Sequence, residues 1–171
     1  MDNSTLLLFL QGKTSNVDGL YIQDIWNFSF NKLEHNHKYI QWLFPIDTAS
    51  NYSRTAPVIY AAWEGCHDSV IKENMKKSFA VLLNFYGLAY EGKNIVKASS
   101  YPIKALNWLT PFNHNFLRIT RILTALKLFG LDEEHEAFLA FLNELQKKHP
   151  LIIGKSIQYW KKRLKYNQLN L

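Results

Sequence analysis

Thr110-Pro111-Phe112-Asn113-His114-Asn115-Phe116-Leu117-Arg118-Ile119-Thr120-Arg121-Ile122-Leu123-Thr124-Ala125-Leu126-Lys127-Leu128-Phe129-Gly130 is the stretch on which the fold turns. Its apolar residues recur three and four apart, the spacing of one helix face. Thr110 is suited to cap the helix and Pro111 to its first position, where no amide proton is needed. Gly130 is suited to end it. The spacing predicts a helix from Pro111 to about Phe129. Leu117, Ile119, Ile122, Leu123, Leu126 and Phe129 cover so broad a face that this helix should be central and the most buried.

The same period extends in both directions, and β-type alternation is scarce. Towards the C-terminus, Asp132 opens a helix with acids near its start and Lys147, Lys148 and His149 at its end, an order that complements the helix dipole. Phe138, Phe141, Leu142 and Leu145 form its buried stripe. A last helix is expected over about Gly154–Tyr166. Towards the N-terminus, Pro102–Leu109 reads as a helical turn, and 88–101 as irregular with a hairpin around Glu91–Asn94. Asp68 caps a strong helix over Ser69–Tyr86, striped by Ile71, Met75, Phe79, Leu82 and Tyr86 and closed by Gly87. Val58–Gly65 reads as a short helix and 46–57 as a loop. Asn36 is the expected cap of a helix that Pro45 stops, with Tyr39, Ile40, Leu43 and Phe44 inward. Shorter helices are expected at Leu20–Asn27 and Leu6–Gln11. About seven helices with short irregular connections give an all-α reading, in one globular domain over residues 1–171.

A chain of 171 residues fits one domain, because domains commonly hold about 100–200 residues. It is long enough to bury a sizeable core without staples. Hydrophobic residues are 47% and charged residues 20%, ordinary for a soluble protein, while aromatics reach 15%. The lone Cys66 allows no intramolecular disulfide and fits a reducing compartment. It reads as a small buried hydrophobe or, alternatively, a reactive thiol. The apolar run Leu6–Leu10 lacks the basic flank and cleavage site of a signal peptide, and no stretch approaches the ~20 apolar residues of a spanning helix. A soluble cytoplasmic protein is the expectation.

The net charge of +6 is unevenly spread. Residues 1–144 are nearly balanced. Residues 145–171 hold seven cations and no acid, among them Lys155, Lys161, Lys162, Arg163 and Lys165. That block is either a solvated terminal helix or a patch for nucleic acid or an anionic membrane face.

Two segments set polar residues among aromatics: Glu34-His35-Asn36-His37 with Tyr39, Gln41 and Trp42, and His114-Asn115-Phe116-Leu117-Arg118-Ile119-Thr120-Arg121. His114, Arg118 and Arg121 share a helix face at i, i+4 and i+7. Four Arg stand against 16 Lys in the chain, and two of the four are here. Arg suits a planar bidentate partner. One reading is an anion-binding face near a helix start. The other is pairing with an internal carboxylate such as Glu34, Asp24 or Glu64. Glu34, His35 and His37 invite a metal, but residues two apart on a helix point about 200° apart, so none is assigned. His37 or His114 beside Glu34 would make an acid–base pair. No nucleophile elbow, phosphate loop or dinucleotide fingerprint is present, so neither catalytic residue nor cofactor is assigned.

Lys32-Leu33-Glu34-His35-Asn36-His37-Lys38-Tyr39-Ile40-Gln41-Trp42-Leu43-Phe44-Pro45 and His114-Asn115-Phe116-Leu117-Arg118-Ile119-Thr120-Arg121-Ile122-Leu123 resemble the conserved N-terminal domain of the opioid growth factor receptor family. Weaker support comes from 18–25, 83–87 and 128–131, all in the family's order across 9–131. Residues 132–171 then read as additional C-terminal helices. The resemblance implies an all-α domain and, in animal members, a receptor for the enkephalin pentapeptide. It implies no described reaction and no agreed ligand residues. The expected function is a module holding a small peptide or anionic ligand. The candidate ligand residues are Glu34, His35, His37, Tyr39, Gln41, Trp42, His114, Asn115, Arg118 and Arg121.

Overall fold

The computed structural model describes residues 3–50, 55–60 and 63–162. Helix α1 (Asn3–Leu10) leads to three short helices, α2 (Ile22–Trp26), α3 (Phe30–His35) and α4 (Tyr39–Leu43). After a 3-10 turn at Glu64–His67 come α5 (Ser69–Tyr86), a hairpin of β1 (Leu88–Glu91) and β2 (Asn94–Lys97), and α6 (Tyr101–Trp108). The chain continues through α7 (Asn115–Leu128), α8 (Asp132–Lys148), α9 (Pro150–Ile153) and α10 (Ser156–Lys162). The class is mostly helical. Ten α-helices among the described residues replace the expected seven, because short pieces such as α3, α4 and α9 are separate helices.

Helix α5 forms as its residues dictate. The Asp68 carboxylate accepts from the Ile71 amide at 3.0 Å, and Ile71, Met75, Phe79, Leu82 and Tyr86 are all buried. Gly87 ends the helix in the left-handed region, at φ +77°. A Cβ there would lie 2.7 Å from the Tyr101 backbone, so close packing against α6 demands glycine as strongly as the backbone angle does. The chain then reverses at Gly92-Lys93, both with positive φ, into an antiparallel pair running from Leu88↔Lys97 to Glu91↔Asn94. This hairpin is more regular than the expected loop, because Leu88 and Ile95 are buried between α5 and α8.

Three boundaries depart from expectation. Helix α7 starts at Asn115, not Pro111. Asn113 accepts from the Asn115 amide at 3.0 Å and donates to the Asn107 carbonyl at 2.9 Å, so it both initiates α7 and ties it to α6. Near the N-terminus, Ser29 caps α3 by accepting from the Lys32 amide, so 30–35 is helical and the 36–44 helix shrinks to α4. Asn36 instead turns the connection, accepting from the Lys38 amide at 2.9 Å. The Val58–Gly65 helix is absent among the described residues. Val58 forms a parallel bridge with Ile46, and only the 3-10 turn at its end is helical.

The core is one connected cluster with Trp42, Trp63, Trp108 and Trp160 at most 2% exposed. Helix α7 runs through it, with Ile119, Ile122, Ala125 and Leu126 fully buried. Leu117, expected on the buried face, is exposed on its first turn.

Candidate functional site

Arg118 joins the two polar segments. It projects from the first turns of α7 into the turn between α3 and α4 and is only 4% exposed. Its Nη2 donates to the backbone carbonyls of Glu34 at 2.9 Å and Asn36 at 3.1 Å and lies 3.3 Å from His37 Nδ1. Its Nη1 donates to Asn115 Oδ1 at 3.1 Å and approaches the Glu34 carboxylate at 3.8 Å. Asn115 Nδ2 closes the loop to Glu34 at 3.3 Å. A planar guanidinium reaches this many acceptors at once; an ammonium would not. The guanidinium also lies 5.6 Å from the Tyr39 ring centroid. Burial pushes the Tyr39 phenol up to about 12, although Arg118 pulls against it.

Beside this joint, His114 Nε2 lies 3.3 Å from the Glu34 carboxylate, and its ring meets His37 edge-on at 5.3 Å. Burial, helped by the Arg118 charge, lowers the His114 pKa against the pull of Glu34. The folded state thus disfavours the charged imidazole beside Glu34. Glu34, His37 and His114 stand together as an acid–base cluster requires. Among the described residues, no group of three or more His, Cys, Asp or Glu side chains is arranged to hold a metal ion.

In front of the joint lies an open groove of about 710 Å³, walled by the 18–20 turn and by residues 29–38. Lys32, His35, His37 and Lys38 all border it, against the single carboxylate of Asp18, which pairs with Lys38 at 3.3 Å. Lys32 rests its ammonium over the Phe28 ring at 3.8 Å, and His35 Nδ1 is 2.9 Å from the Asn31 carbonyl.

The family model of the opioid growth factor receptor conserved region matches residues 1–169. The chain belongs to the opioid growth factor receptor family. The match runs well beyond the 9–131 stretch on which the resemblance rested, so the C-terminal helices are part of the family's region. The mouse opioid growth factor receptor is 31% identical over 84% of the chain and 24% of its own length. The human receptor is 33% identical over 74% of the chain and 20% of its own length. The rat opioid growth factor receptor-like protein 1 is 30% identical over 73% of the chain and 28% of its own length. The chain thus spans about a quarter of these curated relatives. No solved structure matches it.

Within this family domain, the ten residues singled out in the sequence divide by burial. Arg118 and Asn115 form the joint, with Glu34 partly exposed at its edge. Tyr39 and Trp42 are core, Trp42 packing edge-on against Phe9 at 5.1 Å. They line no open surface, because the helix carrying them is packed on both sides. Gln41 is buried and donates to Ser50 at 3.0 Å, and Arg121 donates to the Phe44 carbonyl at 3.2 Å. His35, His37 and, half-buried, His114 face outward. Lys32 and Lys38 also border the groove, which the sequence does not signal, because isolated lysines are common and carry no spacing pattern. Of the basic block, Lys155 and Lys161 are exposed on either side of buried Ile157 and Trp160, and Arg163 and Lys165 lie outside the described residues. No helix among the described residues is long and apolar enough to cross a membrane.

Proposed function

We propose that this domain is the ligand-binding module of an opioid growth factor receptor-type protein, and that it holds a short peptide or small anion in the groove beside α3 and α4. The observation that carries the reading is the buried Arg118 joint. It fixes the 34–37 backbone from behind, so that His35, His37, Lys32 and Lys38 stand preorganised around open space with one carboxylate among them. Such a cation-rich rim suits a peptide C-terminal carboxylate or another anion. The relatives' name, receptor, agrees with a binding role.

The test is a calorimetric titration of the full chain with an opioid pentapeptide, the same peptide amidated at its C-terminus, and inorganic phosphate. Binding that weakens on amidation, and is lost in Lys38→Ala with His37→Ala while the melting temperature holds, supports the reading. Absence of heat with all three ligands defeats it. A second reading rests on Glu34, His114 and His37. A carboxylate beside an imidazole that touches a second imidazole can pass a proton towards the groove.

A further inference from the structure

Helix α6 has its apolar residues on both sides. Tyr101, Ala105 and Trp108 are buried, Trp108 donating to the Tyr86 carbonyl at 3.1 Å. On the outer side Ile103 and Leu106, three residues apart, are each 75% exposed, where a surface helix ordinarily presents polar residues. The loop that follows adds a third. Phe112 is fully exposed, at 101%, and adopts φ +59°, a left-handed conformation that bulky L-residues seldom take. Asn113 holds it there, donating to Asn107 at the end of α6 and to Thr110 at 2.8 Å while accepting from the Asn115 amide. A strained backbone that pushes an aromatic ring into solvent, next to two exposed aliphatics, marks a contact surface.

Charge indicates what it contacts. Between Gly92 and Leu131 the chain carries no acid. Of its six cations there, Lys93 and Lys127 pair with Glu133 and Asp132, Arg118 is buried and Arg121 reaches the Phe44 carbonyl, which leaves Lys97 and Lys104 beside α6. Lys97 lies over the ring of Tyr101, at the start of α6, at 4.2 Å. Lys104, on α6 itself, reaches the Asn84 carbonyl at 2.6 Å. The acid that approaches the start of α7 from elsewhere, Glu34, is already engaged by Asn115, Arg118 and His114. The apolar residues of the face line neither the groove beside α3 nor the one between α5 and α8. A protein partner would need a socket shaped for Phe112. A lipid surface needs only negative headgroups over a soft apolar layer.

We propose that the face formed by α6 and the 110–114 loop docks on an anionic phospholipid surface. Phe112, Leu106 and Ile103 enter the acyl boundary, and Lys97 and Lys104 meet the headgroups. This inference is independent of the ligand groove. It is tested by co-sedimenting the full chain with phosphatidylcholine vesicles, with and without phosphatidylserine. The expected result is binding that requires phosphatidylserine and falls about tenfold or more in Phe112→Ser with Leu106→Ser. The melting temperature should not move, because neither side chain packs against the core.

A variant with Lys161, Lys162, Arg163 and Lys165 all changed to Ala separates this face from the basic C-terminal block. A fluorophore at Phe112→Cys should shift to the blue on vesicles; Cys66 does not compete, being buried with its thiol pushed up to about 11. Three results overturn the proposal: no vesicle binding, binding abolished by the C-terminal variant but untouched by the serine pair, or self-association that the serine pair abolishes without any lipid dependence.

Discussion

Two grooves among the described residues are similar in size and differ in electrical character. The one beside α3 and α4 measures about 710 Å³ and the one between α5, the hairpin and α8 about 660 Å³. The second is neutralised from within: Lys76 bridges Glu73 and Glu134, and Lys93 donates to Glu133 at 2.9 Å. The first has one such pair, Lys38 with Asp18, and borders three further cationic or ionisable groups. Volume alone does not distinguish them. An anion entering the second would have to break existing pairs in competition with carboxylates, whereas in the first it completes the charge balance.

The largest perturbation removes the wall behind the first groove. Arg118→Ala strips hydrogen bonds from the Glu34 and Asn36 carbonyls and leaves Glu34 without its buried cation, a loss expected to cost about 3–5 kcal/mol in urea unfolding. Arg118→Lys should recover little of it, because the fork geometry is what spans the acceptors. An Arg118→Ala chain that unfolds at the same urea concentration as the parent would show that the joint carries no stability.

A smaller change should convert the second groove towards the first. Glu133→Gln with Glu134→Gln frees Lys93 and leaves Lys76 paired with Glu73 alone, and should lower the urea midpoint only slightly, these pairs being mostly solvent-screened. Sulfate should then perturb the amide signals of residues 76 and 93, which it should leave unmoved in the parent.

Acid should act next, and in one direction. His114 and the buried His135 both have lowered pKa values, in each case chiefly through burial. The folded state holds those protons less tightly than the unfolded chain. As pH falls below the ordinary imidazole value of 6.5, the unfolded state is protonated first and stability declines. His114→Gln and His135→Gln should each flatten that decline, measured as the urea midpoint from pH 7 to 5. The least effect belongs to Lys38→Ala. Its exposed pair with Asp18 should contribute less than about 0.5 kcal/mol to stability, so any larger loss of ligand affinity reports binding rather than folding.

Much of this was legible in the chain. The α5 stripe, its Asp68 cap and its Gly87 stop emerge as written, since a long amphipathic helix with both ends marked leaves little for tertiary context to change. The Glu34 and His114 segments, expected to hold a ligand between them, close directly on each other through Arg118 and Asn115, and no residue of 114–121 lines either groove. The alternative of an Arg paired with an internal carboxylate is realised at Arg118 and Glu34. Short elements were less legible. Ser29 starting α3, and Asn113 rather than Thr110 starting α7, depend on one side chain choosing among several backbone groups within reach, a choice made by what packs nearby.

The periodicity, caps and aromatic content of the sequence determined a mostly helical domain around α7, and the odd composition of its two polar segments determined the family. Tertiary structure alone decided which side of those segments is buried. Trp42 and Tyr39 turn inward and Lys32 and Lys38 outward because α4 is clamped between α1 and the Arg118 joint. Helical spacing states which residues share a face. It does not state which neighbour that face meets, and burial depends on the neighbour.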